Sequence, residues 1–420
     1  MSSHLHQAEI ISIGDELLYG HVQDTNATWI SNCLGEAGFQ VIHRATVPDD
    51  SQAILTAFSE AETRASVIVV TGGLGPTSDD LTKPCFCTYF ECDMVLNESA
   101  LEEVTALFAR RGIALTEANR SQAYLPAACI KLTNQLGTAP GMWFDKGEKT
   151  FIALPGVPYE MKQLMQEEAM PRLLKKYKPQ TLLHRTVRTV AIGESFLASK
   201  IADWEAALPS DLHLAYLPKP GQVKLRLTTY GLEKTALQQK LDQQIKELVS
   251  LIEPHVYGFD HEELEEAVGN LLKKQAYTVS VAESCTGGYL GHLLTKVPGA
   301  STYFSGGVIA YSNVIKENVL QVKAETLQHH GAVSEQTVRE MALGLRQLFK
   351  TTHAIAVSGI AGPDGGTPEK PVGTIWIAVA DEKEIRTKKF TLHTDRLVNI
   401  EFAAIYALNG LRKLLLKQVW

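Results

Sequence analysis

The stretch SVIVVTGGLGPTSDDL, Ser66 to Leu81, decides how the first part of the chain folds. Its opening run is apolar and β-branched, so it reads as a strand buried on both faces. The glycines that follow turn the chain without steric cost, and the sequence beyond them becomes helix-like. Two other stretches repeat this plan: EIISIGDE, Glu9 to Glu16, and KTFIALPG, Lys149 to Gly156, which runs into VPYEMKQLM. Apolar strands that each end in a glycine-containing turn are the mark of a parallel sheet. Ligands of such sheets gather at the carboxyl ends of the strands.

A chain of 420 residues is too long for one ordinary hydrophobic core, which predicts two or three domains. Its 45% hydrophobic and 21% charged content is that of a soluble globular protein. A net charge of −7 without a long basic run argues against a broad nucleic-acid surface. No apolar run approaches the roughly 20 residues that a membrane span needs. The opening MSSHLHQAEI lacks the basic start and apolar core of a signal peptide, so it reads as a short mobile extension on a cytoplasmic protein. Cysteines at 33, 85, 87, 92, 129 and 285 are too sparse for a disulfide framework. Cys85, Cys87 and Cys92 have no second Cys or His pair to complete a structural zinc site. Reduced, mostly buried thiols are expected.

Between Pro171 and Pro179 the pattern breaks, and a small α+β middle domain is expected over residues 171–257. It holds an alternating stretch, VKLRLTTYG, and a long helix with Leu237, Leu241, Ile245, Leu248 and Ile252 at helical spacing. Nothing catalytic stands out in it. Residues 258–420 return to an α/β pattern, with strands at YTVSVAES, FSGGVIAYS, HAIAVSGIAG and GTIWIAVAD. The helix in SEQTVREMALGLRQLF takes Ser334 as its N-cap and turns Val338, Met341, Ala342, Leu345 and Leu348 inward.

In the first segment, Asp15 and Glu16 follow one strand, and Asp79 and Asp80 follow the glycine loop. Glycine loops and helix starts suit an anion. Carboxylates there would repel phosphate unless a divalent cation lay between them. Capping explains one such loop; three at strand ends favour a phosphate and metal site. GDELLYG with Asp24-Thr25-Asn26, TGGLGPTSDDLT and PGVPYEM resemble successive motifs of the molybdopterin-binding-like domain of the CinA (competence/damage-inducible) family. That resemblance implies a three-layer α/β fold over 1–170 and metal-dependent hydrolysis of the ADP-ribose pyrophosphate. It makes Asp15, Asp79 and Asp80 ligands of an Mg, Mn or Co type ion, and places Gly72, Gly73, Gly75, Thr77, Gly156 and Glu160 around the phosphates. Fold relatives bind molybdopterin, so a non-catalytic binder is the alternative. Lys83-Pro84-Cys85-Phe86-Cys87 departs from a plainer helix start, although Pro84 is tolerable in a first turn.

The last segment carries AESCTGG, Ala282 to Gly288, where two potential nucleophiles adjoin. Either Ser284 or Cys285 needs a base, and no histidine stands in a recognisable Cys-His motif. Tyr311 and Lys316 follow the next strand, and a buried lysine serves as a base directly or through a tyrosine hydroxyl. AESCTGG, the segment through Tyr311 and Lys316, SGIAGPDGGTPEKPVG and Asp395-Arg396 closely resemble the C-terminal domain of the same family. This implies a nicotinamide mononucleotide deamidase that needs no cofactor, with Ser284 as nucleophile and Lys316 with Tyr311 as base or relay. Cys285 becomes a packed neighbour. Backbone N–H groups from Cys285 through Thr286 and Gly287 to Gly288 stabilise the oxyanion, and Thr286 and Ser358 orient the substrate. Gly359, Gly362, Lys370 and Arg396 complete its pocket and hold its phosphate. Homodimers are expected from the family, and a competence or recombination adaptor is a third, non-enzymatic reading.

Overall fold

The computed structural model describes residues 6–231, 233–392 and 395–420; the N-terminal extension, residues 1–5, lies outside them. The chain divides into two compact units, one of residues up to 183 with 229–238, the other of 184–228 with 239–420.

In the first unit His6–Ile13, Val67–Thr71 and Lys149–Leu154 are adjacent parallel strands. Phe39–Val47 flanks them in parallel, and Gly141–Lys146 and Ile130–Leu132 continue the sheet antiparallel. Alternate residues of each strand feed two separate cores. Ile11, Ile68, Val70, Phe151 and Ala153 pack with Ile54, Phe58 and Phe86 on one face. Ile10, Val67, Val69, Ile152 and Leu154 pack with Ile30, Leu34, Met161 and Leu164 on the other. Two helical layers thus enclose one sheet, which is why its central strands carry no polar alternation. Pro171 does not break the chain. It lies inside a continuous helical run from Pro158 to Tyr177, just after the π-helical turn Met165–Ala169 that opens the backbone bonding there, and the run ends at Lys178 in left-handed backbone, φ 45°.

The second unit opens with a four-stranded sheet ordered Leu212–Lys219, Gln222–Gly231, Thr181–Val190 and Val256–Phe259. It then forms a five-stranded sheet ordered Phe304–Ile309, Val279–Glu283, His353–Gly359, Thr374–Ala380 and Ile385–Thr391. The first three strands are parallel, and Thr374–Ala380 pairs antiparallel with both His353–Gly359 and Ile385–Thr391. One face is lined by Val279, Val281, Ile355, Val357, Ile375 and Ile377 under the helices Leu264–Gln275 and Arg396–Leu415. The other is lined by Ala282, Ala354, Ala356, Ala378 and Ala380, whose small side chains let the helix Glu335–Phe349 lie close. That helix is capped by Ser334, as expected, and buries Val338, Met341, Ala342 and Leu345. Leu348 is instead 51% exposed, because Phe349 takes the inward place in that turn and packs on the core beside Gly306.

All six cysteines are free; Cys85 and Cys285 are buried and the others half-buried. Among the described residues no helix is long and apolar enough to cross a membrane.

Candidate active sites

Ser284 directly follows Val279–Glu283, the second strand of its sheet, and its N–H donates to the Val357 carbonyl at 3.0 Å. On the other side the Ala310 N–H donates to the Glu283 carbonyl at 2.7 Å. Both neighbouring strands therefore pin the serine's backbone. The chain then turns through Gly287 and Gly288, at φ 59° and 103°, which only glycine adopts freely. Lys316 lies on the short helix Asn313–Asn318, capped by the Ser312 hydroxyl, and is 1% exposed. Its Nζ donates to the Ser284 Oγ at 3.2 Å and to the Ala310 carbonyl at 2.7 Å, with the Tyr311 carbonyl at 3.5 Å. Burial holds the Lys316 ammonium below the usual lysine range, which favours the neutral amine.

Cys285 faces the other way, into the core beneath the sheet. A Cβ built on Gly359 would stand 3.0 Å from its Sγ, so this glycine is the space the thiol fills. Burial pushes the Cys285 thiol up to about 12, outweighing the lowering effect of the nearby Lys316 charge. The Thr286 hydroxyl is buried with no hydrogen-bond partner among the described residues. The Gly288 N–H donates to the Glu283 carboxylate and that of Gly287 to the Ser284 carbonyl, so two of the four expected oxyanion donors are already engaged.

Tyr311 is brought near Lys316 through its main chain. Its side chain is 63% exposed, and its hydroxyl accepts from Arg396 Nη2 at 3.2 Å. Arg396 Nη1 donates to the Gly362 carbonyl at 2.6 Å, so one guanidinium ties the tyrosine to the glycine-rich loop. Ser358 and Lys370 are occupied elsewhere. The Ser358 hydroxyl donates to the Ala332 carbonyl at 2.7 Å, and Lys370 Nζ to the His330 carbonyl at 2.6 Å.

In the first unit a cleft of about 500 Å³ opens at the carboxyl ends of the parallel strands. It is lined by Gly72, Gly73, Gly75, Gly156, Asp79, Asp80 and Glu160, with Glu16, Asn26 and Asp49. Asp80 spends both oxygens on its own loop, accepting from the Gly75 N–H at 2.7 Å, the Thr77 N–H at 2.9 Å and the Thr77 hydroxyl. Of the expected trio Asp15, Asp79 and Asp80, the last two line the cleft, and among the described residues no three His, Cys, Asp or Glu groups are grouped to hold a metal by themselves. The Gly72 N–H donates to the Leu154 carbonyl, and a Cβ there would stand 2.2 Å from the Ile13 carbonyl oxygen. Gly72 thus serves the crossing of backbones. Glu160 is buried at the cleft wall, with Asn134 Nδ2 donating to it at 2.7 Å. Lys83, in the unusual helix start, is buried against the Gln122 carbonyl and pushed down by burial to about 8.

A CinA-like protein from Cytophaga hutchinsonii is 49% identical over 98% of this chain and 99% of its own length. The chain belongs to the CinA family. A CinA-like protein from Flavobacterium psychrophilum is 41% identical over 98% of this chain and 99% of its own length. Three family models match in order: the probable molybdopterin binding domain over residues 9–175, the damage-inducible protein CinA KH domain over 184–258, and the CinA C-terminal domain over 261–415. A crystal structure of a competence-damaged protein (CinA) superfamily protein from Klebsiella pneumoniae is 37% identical over 37% of this chain and 96% of that chain, with a TM-score of 0.36.

Two acidic residues escaped the motif reading of this CinA-family chain. Asp49 accepts from the Asp15 N–H at 3.0 Å; its carboxyl is pushed up by burial and by the charges of Asp15, Glu16 and Asp79. Its signal was the Asp pair ending the strand Phe39–Val47, an element not read from the sequence. Glu283 reads as the last residue of an apolar strand, yet it is a fully buried carboxylate.

Proposed function

We propose that the C-terminal part hydrolyses the carboxamide of nicotinamide mononucleotide to nicotinic acid mononucleotide and ammonia. The observation that carries this is the buried Lys316 amine 3.2 Å from the Ser284 hydroxyl. A neutral amine donates one N–H to the Ala310 carbonyl and still offers its lone pair to the serine proton. Ser284 Oγ bonds to the carboxamide carbon as its proton passes to Lys316 Nζ. The oxyanion is met by the N–H groups of Cys285 and Thr286. Lys316 returns the proton as the C–N bond breaks, so ammonia leaves. Water then adds to the acyl carbon, giving a proton to Lys316; the Oγ–C bond breaks and the proton restores the serine hydroxyl. The unpartnered Thr286 hydroxyl suits a hydrogen bond to the bound nucleotide.

For the first unit the reading is cleavage of the ADP-ribose pyrophosphate with a divalent cation. The donor set fits in kind: Asp49 and Glu16 offer hard oxygens in a cleft whose carboxylates repel one another. An Mg²⁺-type ion held by one or two carboxylates plus substrate phosphates suits such a set better than a protein-only cage. Bound there, it would offset the pyrophosphate charge and activate water. The match of residues 9–175 to a probable molybdopterin binding domain supports a second reading, a non-catalytic binder of a molybdopterin-like ligand. Incubation with nicotinamide mononucleotide and with ADP-ribose, each with and without chelator, tests both sites. Ammonia release should survive chelation and ADP-ribose cleavage should not. An inert first unit that still binds molybdopterin by calorimetry would favour the second reading.

A further inference from the structure

We infer that Glu283 is a positioning residue of the serine site, acting through the turn that carries Ser284. The inference rests on the deamidase reading for its assay, but its geometry stands apart from the substrate. The Glu283 carboxylate is 2% exposed and forms no ion pair with any described residue. A buried carboxylate is costly unless hydrogen bonds replace its water. Here three backbone donors do so: the N–H groups of Gly288 at 3.0 Å, Leu290 at 3.0 Å and Gly291 at 2.7 Å. All lie beyond the serine in sequence, so the carboxylate staples residues 284–288 into a closed turn. The main chain of Glu283 closes a second ring. Its carbonyl accepts from Ala310 N–H at 2.7 Å, the Ala310 carbonyl accepts from Lys316 Nζ at 2.7 Å, and Lys316 reaches Ser284. One residue thereby fixes both the nucleophile's turn and the carbonyl that aims its base.

The N–H groups opening the helix Tyr289–Thr295 are spent on the Glu283 carboxyl and so serve the turn rather than a ligand.

Glu283→Gln keeps the shape but turns an NH₂ toward a backbone N–H, so the turn must shift. Misplacement of about 1 Å costs on the order of 100-fold in rate, so kcat should fall about 10- to 100-fold with KM within about 3-fold. The second readout is labelling of Ser284 by a fluorophosphonate, followed by mass spectrometry, which needs no nucleotide. Its rate should fall with kcat. Gly291→Ala guards against a Gln variant that fails to fold. A Cβ at Gly291 would stand 3.2 Å from Glu283 Oε1, and alanine favours the helix. Labelling should therefore slow while thermal stability holds. Wild-type labelling rates in both folded variants would overturn the inference. A wild-type protein in which Ser284 is never labelled would instead overturn the deamidase reading beneath it.

Discussion

Replacing Lys316 by methionine tests the serine–lysine pair most directly. Methionine matches the lysine stem in length and apolarity but cannot take a proton. Loss of a positioned general base costs about 10²- to 10⁴-fold in rate, or about 3–5 kcal/mol of barrier. The wild-type rate should rise with pH along a limb below the ordinary lysine value of 10.5, because burial depresses Lys316 and only its neutral form is the base. That limb should vanish in Lys316→Met. Stability carries its own signature. The Ala310 carbonyl loses its 2.7 Å donor, at about 1–3 kcal/mol for a buried group left unpaired. Against this, the wild type bears the cost of burying an ammonium. With the folded pKa lowered, the unfolded chain binds more protons between that value and 10.5, so wild-type stability rises with pH across this window. Below the window the burial cost is complete. Methionine should therefore compare best with wild type at low pH and lose ground as pH climbs toward 10.5. Ammonia release from nicotinamide mononucleotide and urea unfolding, each across this range, measure the two effects. A pH limb that persists unchanged in Lys316→Met would falsify the assignment of the base.

Other substitutions separate the remaining roles. Ser284→Ala should abolish ammonia release, whereas Cys285→Ala should retain most activity and cost about 1–2 kcal/mol of stability by denaturant melt, as for a small buried group removed. Native protein at pH near 8 should resist iodoacetamide at Cys285, whose thiol burial holds at about 12; rapid carbamidomethylation located by peptide mapping would contradict its placement in the core. Gly359→Ala should destabilise by about 1–3 kcal/mol through overpacking against Cys285, Thr374 and Ile375, and Cys285→Ala in the same chain should recover part of that loss. Asp80→Ala frees the Gly75 and Thr77 donors, so it should loosen the 75–80 loop at a cost of about 1 kcal/mol, comparable to a lost cap, and weaken ADP-ribose binding measured by calorimetry.

The sequence alone determined the strands His6–Ile13, Val67–Thr71 and Lys149–Leu154 of the first sheet and four of the five strands of the last one, with the turns at their ends, because burial leaves a periodic imprint on neighbouring residues. Val67–Thr71 is apolar on both faces for that reason, Val279–Glu283 is buried along its whole length, and the glycines after them mark chain reversals. Ser284 and Lys316 were legible because each follows such a strand, and parallel neighbours bring their carboxyl ends together. Only the tertiary structure decided how polar side chains spend their hydrogen bonds. Asp80 turned back on its own loop, the Tyr311 hydroxyl went to Arg396, and the Glu283 carboxylate turned inward to three N–H groups. Such choices depend on donors and acceptors that distant segments leave unsatisfied, and local spacing carries no record of them. Cys285 shows the difference: beside Ser284 in sequence, it is separated from it in function by the face of the sheet to which each side chain points.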